Sequence, residues 1–170
     1  KYLVNPGDVE RAITGDTILI SIMFANNEIG TIQPVEAIGK LAKEKGVFFH
    51  VDAAQAAGKF AINVQDLGID LLSFSAHKMY GPKGIAALYL RKKHPRVRLE
   101  PLLHGGGQEA GLRSGTLNVP AIVGFGKACE IAQEEIGSER ERIGKLRDRL
   151  ESSLRQQLGD LWLNGDPVKR

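Results

Sequence analysis

The sequence predicts an α/β fold built on a mostly parallel sheet, because short apolar runs alternate with helical periodicity. Four runs rich in Ile, Val, Leu and Phe are typical of buried strands, and they cover residues 17–25, 47–51, 71–74 and 85–90. Between the first two runs an amphipathic helix is predicted over 34–45, since Pro34 suits a first helical turn and Gly46 ends the pattern. The order strand, helix, strand is the pattern of a parallel sheet.

The last third of the chain has helical periodicity only. One helix is predicted over 120–135, where apolar residues recur along one face. A second helix is predicted to begin at Ser138, which forms a capping-box pattern with Glu141 three residues later. We therefore predict a major domain over 1–136 and the start of a smaller one over 137–170.

Composition argues against several classes of function. Lys and Arg number 23 and Asp and Glu number 20, which leaves a net charge of +3, and no basic block is interleaved with aromatic residues. We therefore expect no nucleic-acid binding. The longest apolar stretch, 18–25, is far shorter than the roughly 20 residues of a membrane span, so no membrane association is expected. Cys129 is the single cysteine, which excludes an internal disulfide and favours a reducing, cytoplasmic location.

Polar side chains follow three of the predicted strands, at the point where each strand ends. They are Asn27 after the first run, Asp52 and Gln55 after the second, and Ser75, His77 and Lys78 after the third. Open α/β sheets bind ligands at the carboxyl ends of their strands. We therefore expect these side chains to converge on one crevice.

These residue types match the requirements of a pyridoxal 5'-phosphate site. The cofactor aldehyde needs a lysine amine, and Lys78 supplies one. A carboxylate beside the ring nitrogen keeps that nitrogen protonated, which is a role for Asp52. Hydroxyl and imidazole groups such as Ser75 and His77 hold the phosphate, and Gln55 suits a bond to the phenolic oxygen.

Six short runs along the chain form a recognisable set of motifs. They are ANNEIG at 25–30, HVDAAQ at 50–55, SFSAHK at 73–78, YGPKG at 80–84, HGGGQE at 104–109 and RSGT at 113–116. These motifs closely resemble those of the cysteine desulfurases, which are class V, fold-type I pyridoxal-phosphate enzymes, and they occur in that family's order and at compatible spacing over nearly the whole chain. The resemblance implies a three-layer α/β/α major domain followed by a smaller α+β domain.

The resemblance also implies a role for each matching residue. Lys78 corresponds to the lysine that binds the cofactor covalently, and Asp52 to the partner of the ring nitrogen, so both are expected to be catalytic. Asn27 corresponds to a residue flanking the ring. Thr116, in a glycine-rich loop, corresponds to a residue that reaches the cofactor phosphate of the adjacent subunit, which implies a homodimer. Gln55, Ser75 and His77 keep the cofactor-binding roles described above.

The activity implied is conversion of L-cysteine to L-alanine, with the sulfur passed to an enzyme cysteine as a persulfide. Iron–sulfur scaffold proteins or other sulfur acceptors are the implied partners. In this family the sulfur-accepting cysteine lies further downstream, so we expect the chain alone to be inactive. Cys129 lies on the apolar face of a predicted helix and is expected to belong to the core.

Two alternative functions remain open at this point. A selenocysteine lyase, or another class V transaminase or lyase, would share most of the Lys78 site. A catalytically inactive interaction module would keep the fold without the chemistry, and absorbance from a bound cofactor would distinguish it. His50 and His104 lack a partner at a metal-ligand spacing, so both are predicted to be structural and no metal is expected.

Overall fold

The computed structural model describes residues 2–170, which form three α-helices and a four-stranded sheet. Two single-turn 3₁₀ helices, Ala76–Lys78 and Glu109–Gly111, lie in the connections. None of the helices within the described residues is long and apolar enough to span a membrane. The elements are α1 (Pro6–Ala12), β1 (Leu19–Met23), α2 (Val35–Lys45), β2 (Phe48–Asp52), β3 (Leu71–Ser75), β4 (Ala86–Leu90) and α3 (Val119–Gln157).

The sheet has the strand order β1-β2-β3-β4. The pairs β1/β2 and β2/β3 are parallel, whereas β4 runs antiparallel to β3. The predicted α/β class and mostly parallel sheet are therefore confirmed. Because β1, β2 and β3 point the same way, their carboxyl ends meet at one edge of the sheet, where the polar side chains of the sequence motifs follow.

One face of the sheet is covered by helices. Phe49 and Val51 of β2 are fully buried, and Ile38 of α2 belongs to the same apolar cluster. Phe74 of β3 lies on this face and meets the ring of Phe125 of α3 edge to face, with 5.5 Å between ring centroids. Helices α2 and α3 therefore pack on the same side.

The opposite face of the sheet is largely open. It carries Ser21 and Asp52, and its apolar residues Leu19, Met23 and Leu88 are 40–48% exposed, whereas Leu71 at the start of β3 is buried. Within residues 2–170 the helices supply one helical layer, so two of the three layers implied by the resemblance are present in this part of the chain.

The predicted break between two helices near residue 137 is wrong. Helix α3 is continuous over 39 residues. It begins at Asn118, whose side chain accepts the Ala121 N–H at 3.2 Å. Ser138 does not cap a helix; its hydroxyl donates to the Glu135 carbonyl of the preceding turn at 3.0 Å. A helix crosses the predicted boundary, and the division into 1–136 and 137–170 stays a prediction.

The C-terminal segment after α3 returns to the turn that follows β1. The Ile32 N–H donates to the Lys169 carbonyl at 2.8 Å, and the Asp166 N–H donates to the Thr31 hydroxyl at 3.0 Å. Backbone N–H groups, with that of Lys169 contributing most, hold the pKa of the Asp166 carboxyl below its ordinary value. The turn after β1 is therefore braced by the far end of the chain.

A largely buried ion pair links the start of β3 to the end of β4 and gives the first testable prediction. Asp70 accepts the Phe49 N–H at 2.9 Å and pairs with Arg91 at 3.0 Å. We expect Asp70→Ala to lower the free energy of unfolding by about 3 kcal/mol, because it leaves the buried Phe49 N–H without a partner and the Arg91 guanidinium without its counter-charge, with only the Ile69 carbonyl to accept from it. Urea unfolding measures the loss.

The matched control is Asp148→Ala, which removes a carboxylate from an exposed pair with Arg147. An exposed pair contributes about 0–1 kcal/mol, so this variant should unfold close to the wild-type midpoint. Equal midpoints for the Asp70 and Asp148 variants would contradict the role assigned to Asp70.

Candidate active site

The candidate site is built on the carboxyl ends of β2 and β3. Asp52 is the last residue of β2, and its register partner on β3 is Ser73. Ser75, the last residue of β3, lies two residues further along, on the same face of the sheet. The open face of the sheet therefore presents a carboxylate and two hydroxyls on neighbouring strands.

The Asp52 side chain is fixed at the end of its strand. Its Oδ1 accepts the Ala54 N–H at 2.9 Å, a local bond of the kind that starts a turn. The Asp52 carbonyl accepts the Phe24 N–H at 2.8 Å, which ties the end of β2 to the end of β1. The side chain remains exposed. It is thus held in place and accessible to a ligand.

Ser75 and His77 form a hydroxyl–imidazole pair. The Ser75 Oγ and His77 Nδ1 lie 2.8 Å apart, and His77 is exposed. A hydroxyl can donate or accept, so this pair is compatible with either neutral tautomer of the ring. One of the two groups can donate to an anion in each neutral tautomer, and both can when the ring is protonated, which suits a phosphate site.

Lys78 ends the 3₁₀ turn that follows Ser75, and its backbone is anchored. The Lys78 carbonyl accepts a bond from Lys59 Nζ at 3.2 Å. Burial lowers the pKa of the Lys59 amine, and the nearby charge of Lys78 lowers it further, although the Lys59 residue as a whole is exposed. The Gly81 N–H then closes the loop onto the Ala76 carbonyl at 2.9 Å. Lys59 was not predicted from the sequence to lie at the site, because it belongs to none of the motifs and no periodicity marks a lysine in a turn.

The remaining predicted residues lie on connections. Gln55 is half-buried in the turn after β2, and Asn27 is exposed in the turn after β1. The neighbouring Asn26 holds that turn, since its Oδ1 accepts the N–H groups of Glu28 and Ile29 at 2.9 and 3.0 Å. The predicted residues thus follow the carboxyl ends of β1, β2 and β3, which lie at one edge of the sheet.

Thr116 differs from these residues because it lies in the exposed loop before α3. That loop is closed by its own bonds: the Gly115 N–H donates to Gln108 Oε1 at 2.9 Å, and Arg113 donates to the Gly115 carbonyl at 3.1 Å. None of these bonds connects Thr116 to the strand ends. Its role in a second subunit stays a prediction.

A large cavity beside α3 is separate from the candidate site. It is a groove of about 960 Å³ between α3 and the segments 58–60 and 78–82. Lys78 is the one predicted site residue in its lining, and its walls include apolar residues such as Met79 and Ala132. The carboxylate, hydroxyl and imidazole groups all lie outside it. We place the site by its chemical groups, at the strand ends, with Lys78 at the border of the groove.

Cys129 lies beneath the loop that carries Lys78. Its Sγ is 3.9 Å from the Met79 Sδ, and it is half-buried on α3. Burial raises the pKa of its thiol, which disfavours the reactive thiolate. Its position agrees with the predicted packing role.

Comparisons with known proteins agree with the motifs. Residues 2–169 match the family model described as aminotransferase class-V. The cysteine desulfurase IscS of Methylobacillus flagellatus is 56% identical over 164 residues, which are 96% of this chain and 40% of that protein. The cysteine desulfurase IscS of Ehrlichia chaffeensis is 54% identical over 162 residues, 95% of this chain and 40% of that protein.

Solved structures give the same result. A NifS-like protein from Rickettsia africae is 38% identical with a TM-score of 0.85, over 91% of this chain and 43% of that one. A structure described as SspA in complex with cysteine is 54% identical with a TM-score of 0.72, over 75% of this chain and 37% of that one. The resemblance predicted from the motifs is confirmed, and the chain spans about 40% of the length of the curated relatives it matches.

Proposed function

Because the chain belongs to the class-V aminotransferase family, we propose that it forms part of the active site of a pyridoxal-phosphate-dependent cysteine desulfurase. The complete protein would convert L-cysteine to L-alanine and pass the sulfur to one of its own cysteines, outside these residues, as a persulfide. The observation that carries the proposal is the meeting of Asp52, Ser75, His77 and Lys78 at the adjacent ends of β2 and β3.

The donor set at the strand ends fits this cofactor. Pyridoxal phosphate, when bound, supplies a ring that withdraws electrons from the substrate α-carbon and so eases loss of its proton. Asp52 would keep the ring nitrogen protonated, because an adjacent carboxylate favours the charged form. Ser75 and His77, already paired at 2.8 Å, would donate to the phosphate oxygens. Gln55 would bond the phenolic oxygen, and Asn27 would flank the ring.

Lys78 has two tasks in this proposal. Its amine would hold the cofactor through the aldehyde and, once displaced by the substrate amine, would take the proton from the substrate α-carbon. Both tasks need a lysine whose backbone is fixed while its side chain is free. The bond from Lys59 to the Lys78 carbonyl, together with the exposure of Lys78, meets that need.

The substrate, assembly and location are also part of the proposal. L-cysteine as substrate is supported by the similar structure described as SspA in complex with cysteine. We infer a homodimer in which Thr116 reaches the cofactor phosphate of the adjacent subunit, and iron–sulfur scaffold or other sulfur-acceptor proteins as partners. A single, half-buried cysteine in this chain is consistent with a cytoplasmic location.

The test uses the full-length protein with L-cysteine and a thiol reductant. We expect sulfide and alanine in equal amounts, and borohydride reduction followed by peptide mapping should label Lys78. A protein that forms a keto acid without sulfide would be a transaminase, and one that acts only on selenocysteine would be a selenocysteine lyase. The absence of any bound cofactor would favour an interaction module. Each of these three results would overturn the proposal.

Cys129 provides a prediction about the sulfur carrier. We expect Cys129→Ala in the full-length protein to leave sulfide release within about twofold of wild type, since the thiol is packed against Met79 and not free to move. The stability cost should be roughly 1 kcal/mol. A folded, cofactor-loaded Cys129→Ala protein that no longer releases sulfide would show that Cys129 is the carrier.

A further inference from the structure

His50 bridges three strands on the open face of the sheet. On β2, its Nδ1 lies 2.8 Å from the Ser21 Oγ of β1, and its Nε2 lies 3.1 Å from the Ser73 Oγ of β3. Both ring nitrogens are therefore engaged. A hydroxyl can donate or accept, so the chain of three groups is satisfied by either neutral tautomer.

This network lies next to Asp52 on the sheet. His50 precedes Asp52 by two residues on the same strand, so both side chains lie on the same face. Ser73, which contacts His50, is the register partner of Asp52 on β3. The carboxylate thus has the imidazole beside it along its own strand and the hydroxyl beside it across the sheet.

Hydrogen bonds help to order this face where packing is thin. The apolar residues on the β1 side of the network, Leu19 and Met23, are 44% and 40% exposed, whereas Leu71, the register partner of His50 on β3, is buried. Where few side chains pack above them, polar groups are held by their bonding partners, and linked bonds strengthen one another. Ser21 and Ser73 are such partners for His50.

We propose that His50 is a positioning residue that holds Ser73 and the end of β2 so that Asp52 faces the cofactor ring. The inference rests on the function proposed above. His50 does not touch the reacting atoms; it acts through Asp52. Displacing a catalytic group by about 1 Å can cost on the order of a hundredfold in rate, so a support of this kind has a measurable effect.

The test compares four variants of the full-length protein: His50→Ala, His50→Gln, Ser73→Ala and, as a matched control, His94→Ala. His94 is exposed in the loop after β4, outside the proposed site. Three quantities are measured: the dissociation constant of pyridoxal phosphate, the absorbance maximum of the bound cofactor, and kcat and KM for L-cysteine. The unfolding midpoint of each apo protein is recorded alongside.

We expect His50→Ala to lower kcat about tenfold or more with KM changed less than about threefold, because the group it supports acts in the transition state. Cofactor binding should weaken about fivefold and the absorbance maximum should shift, as Asp52 loses its orientation. Ser73→Ala should show the same changes to a smaller degree. His50→Gln, which keeps one donor and one acceptor, should recover most of the loss, and His94→Ala should match wild type.

Two results would overturn the inference. One is a His50→Ala protein whose kcat, cofactor affinity and absorbance match wild type while its unfolding midpoint falls, since that would show a purely structural role. The other is a Ser73→Ala protein whose bound cofactor has the same absorbance maximum as in wild type. This second result decides against the inference even if His50→Ala does not fold. Failure of the proposed function is distinguishable, because the wild-type protein itself would then bind no cofactor.

Discussion

Replacing Lys78 with alanine in the full-length protein is expected to lower cysteine-dependent sulfide release by at least about a thousandfold. The change removes the amine that would hold the cofactor and the group that would take the α-proton, and losses of a nucleophile or a general base commonly reach this size. Cofactor absorbance at visible wavelengths, where protein without a cofactor does not absorb, should disappear from the purified protein, or remain only as loosely bound cofactor lost on dialysis.

Lys83→Ala is the matched control for this experiment. Lys83 is exposed in the turn five residues after Lys78 and is not among the groups at the strand ends. It should retain turnover and the cofactor link. If Lys78→Ala keeps turnover within tenfold of wild type, or if borohydride labels Lys83 instead, the assignment of Lys78 is wrong.

Asp52→Asn should slow the reaction by about two to three decades while the cofactor still binds. An amide can accept the Ala54 N–H as the carboxylate does, so the turn after β2 survives. It cannot supply the negative charge that keeps the ring nitrogen protonated. The measurement is kcat with ordinary and α-deuterated cysteine, because loss of the α-proton should become the slow step.

The control for Asp52 is Asp66→Asn, which alters an exposed carboxyl in the connection between β2 and β3. This variant should turn over at the wild-type rate with an unchanged isotope effect. A near-normal rate for Asp52→Asn in a protein that releases sulfide would show that another group protonates the ring.

The strands were predictable from the sequence because each is a short, apolar run. The run predicted over 47–51 is observed as β2, Phe48–Asp52, and helix α2 ends before Gly46, whose φ of 68° suits glycine. Helix α1 was not predicted. It is short and has no buried residue, so it lacks the apolar periodicity on which the prediction relied, although the side chain of Asn5 caps it.

The continuity of α3 was less predictable because local signals near residue 137 conflict. Gly137 and the Ser138 capping-box pattern indicate a new helix, but the structure has no left-handed turn there that would end the first one. Ion pairs such as Lys145 with Glu141 and Arg155 with Glu151 support the helix beyond this point.

The chemical groups of the site could be identified from residue types, but the hydrogen bonds that hold them could not. Motifs placed Asp52, Ser75, His77 and Lys78 at strand ends, where the structure has them. The bridge from His50 to Ser21 and Ser73 depends on strand register, which the sequence pattern does not specify. The bond from Lys59 to the Lys78 carbonyl depends on the path of a loop.

The brace between the C-terminal segment and the turn after β1 has a consequence for the order of folding. Asp166 and Thr31 are 135 residues apart in sequence, whereas Ser21 and His50 are 29 apart. Because the entropy lost on closing a loop grows with the logarithm of its length, this nearly fivefold difference adds about 1.4 kcal/mol to the closure. The sheet should therefore assemble first, and the turn bearing Asn27 should acquire its final support only after α3 has formed.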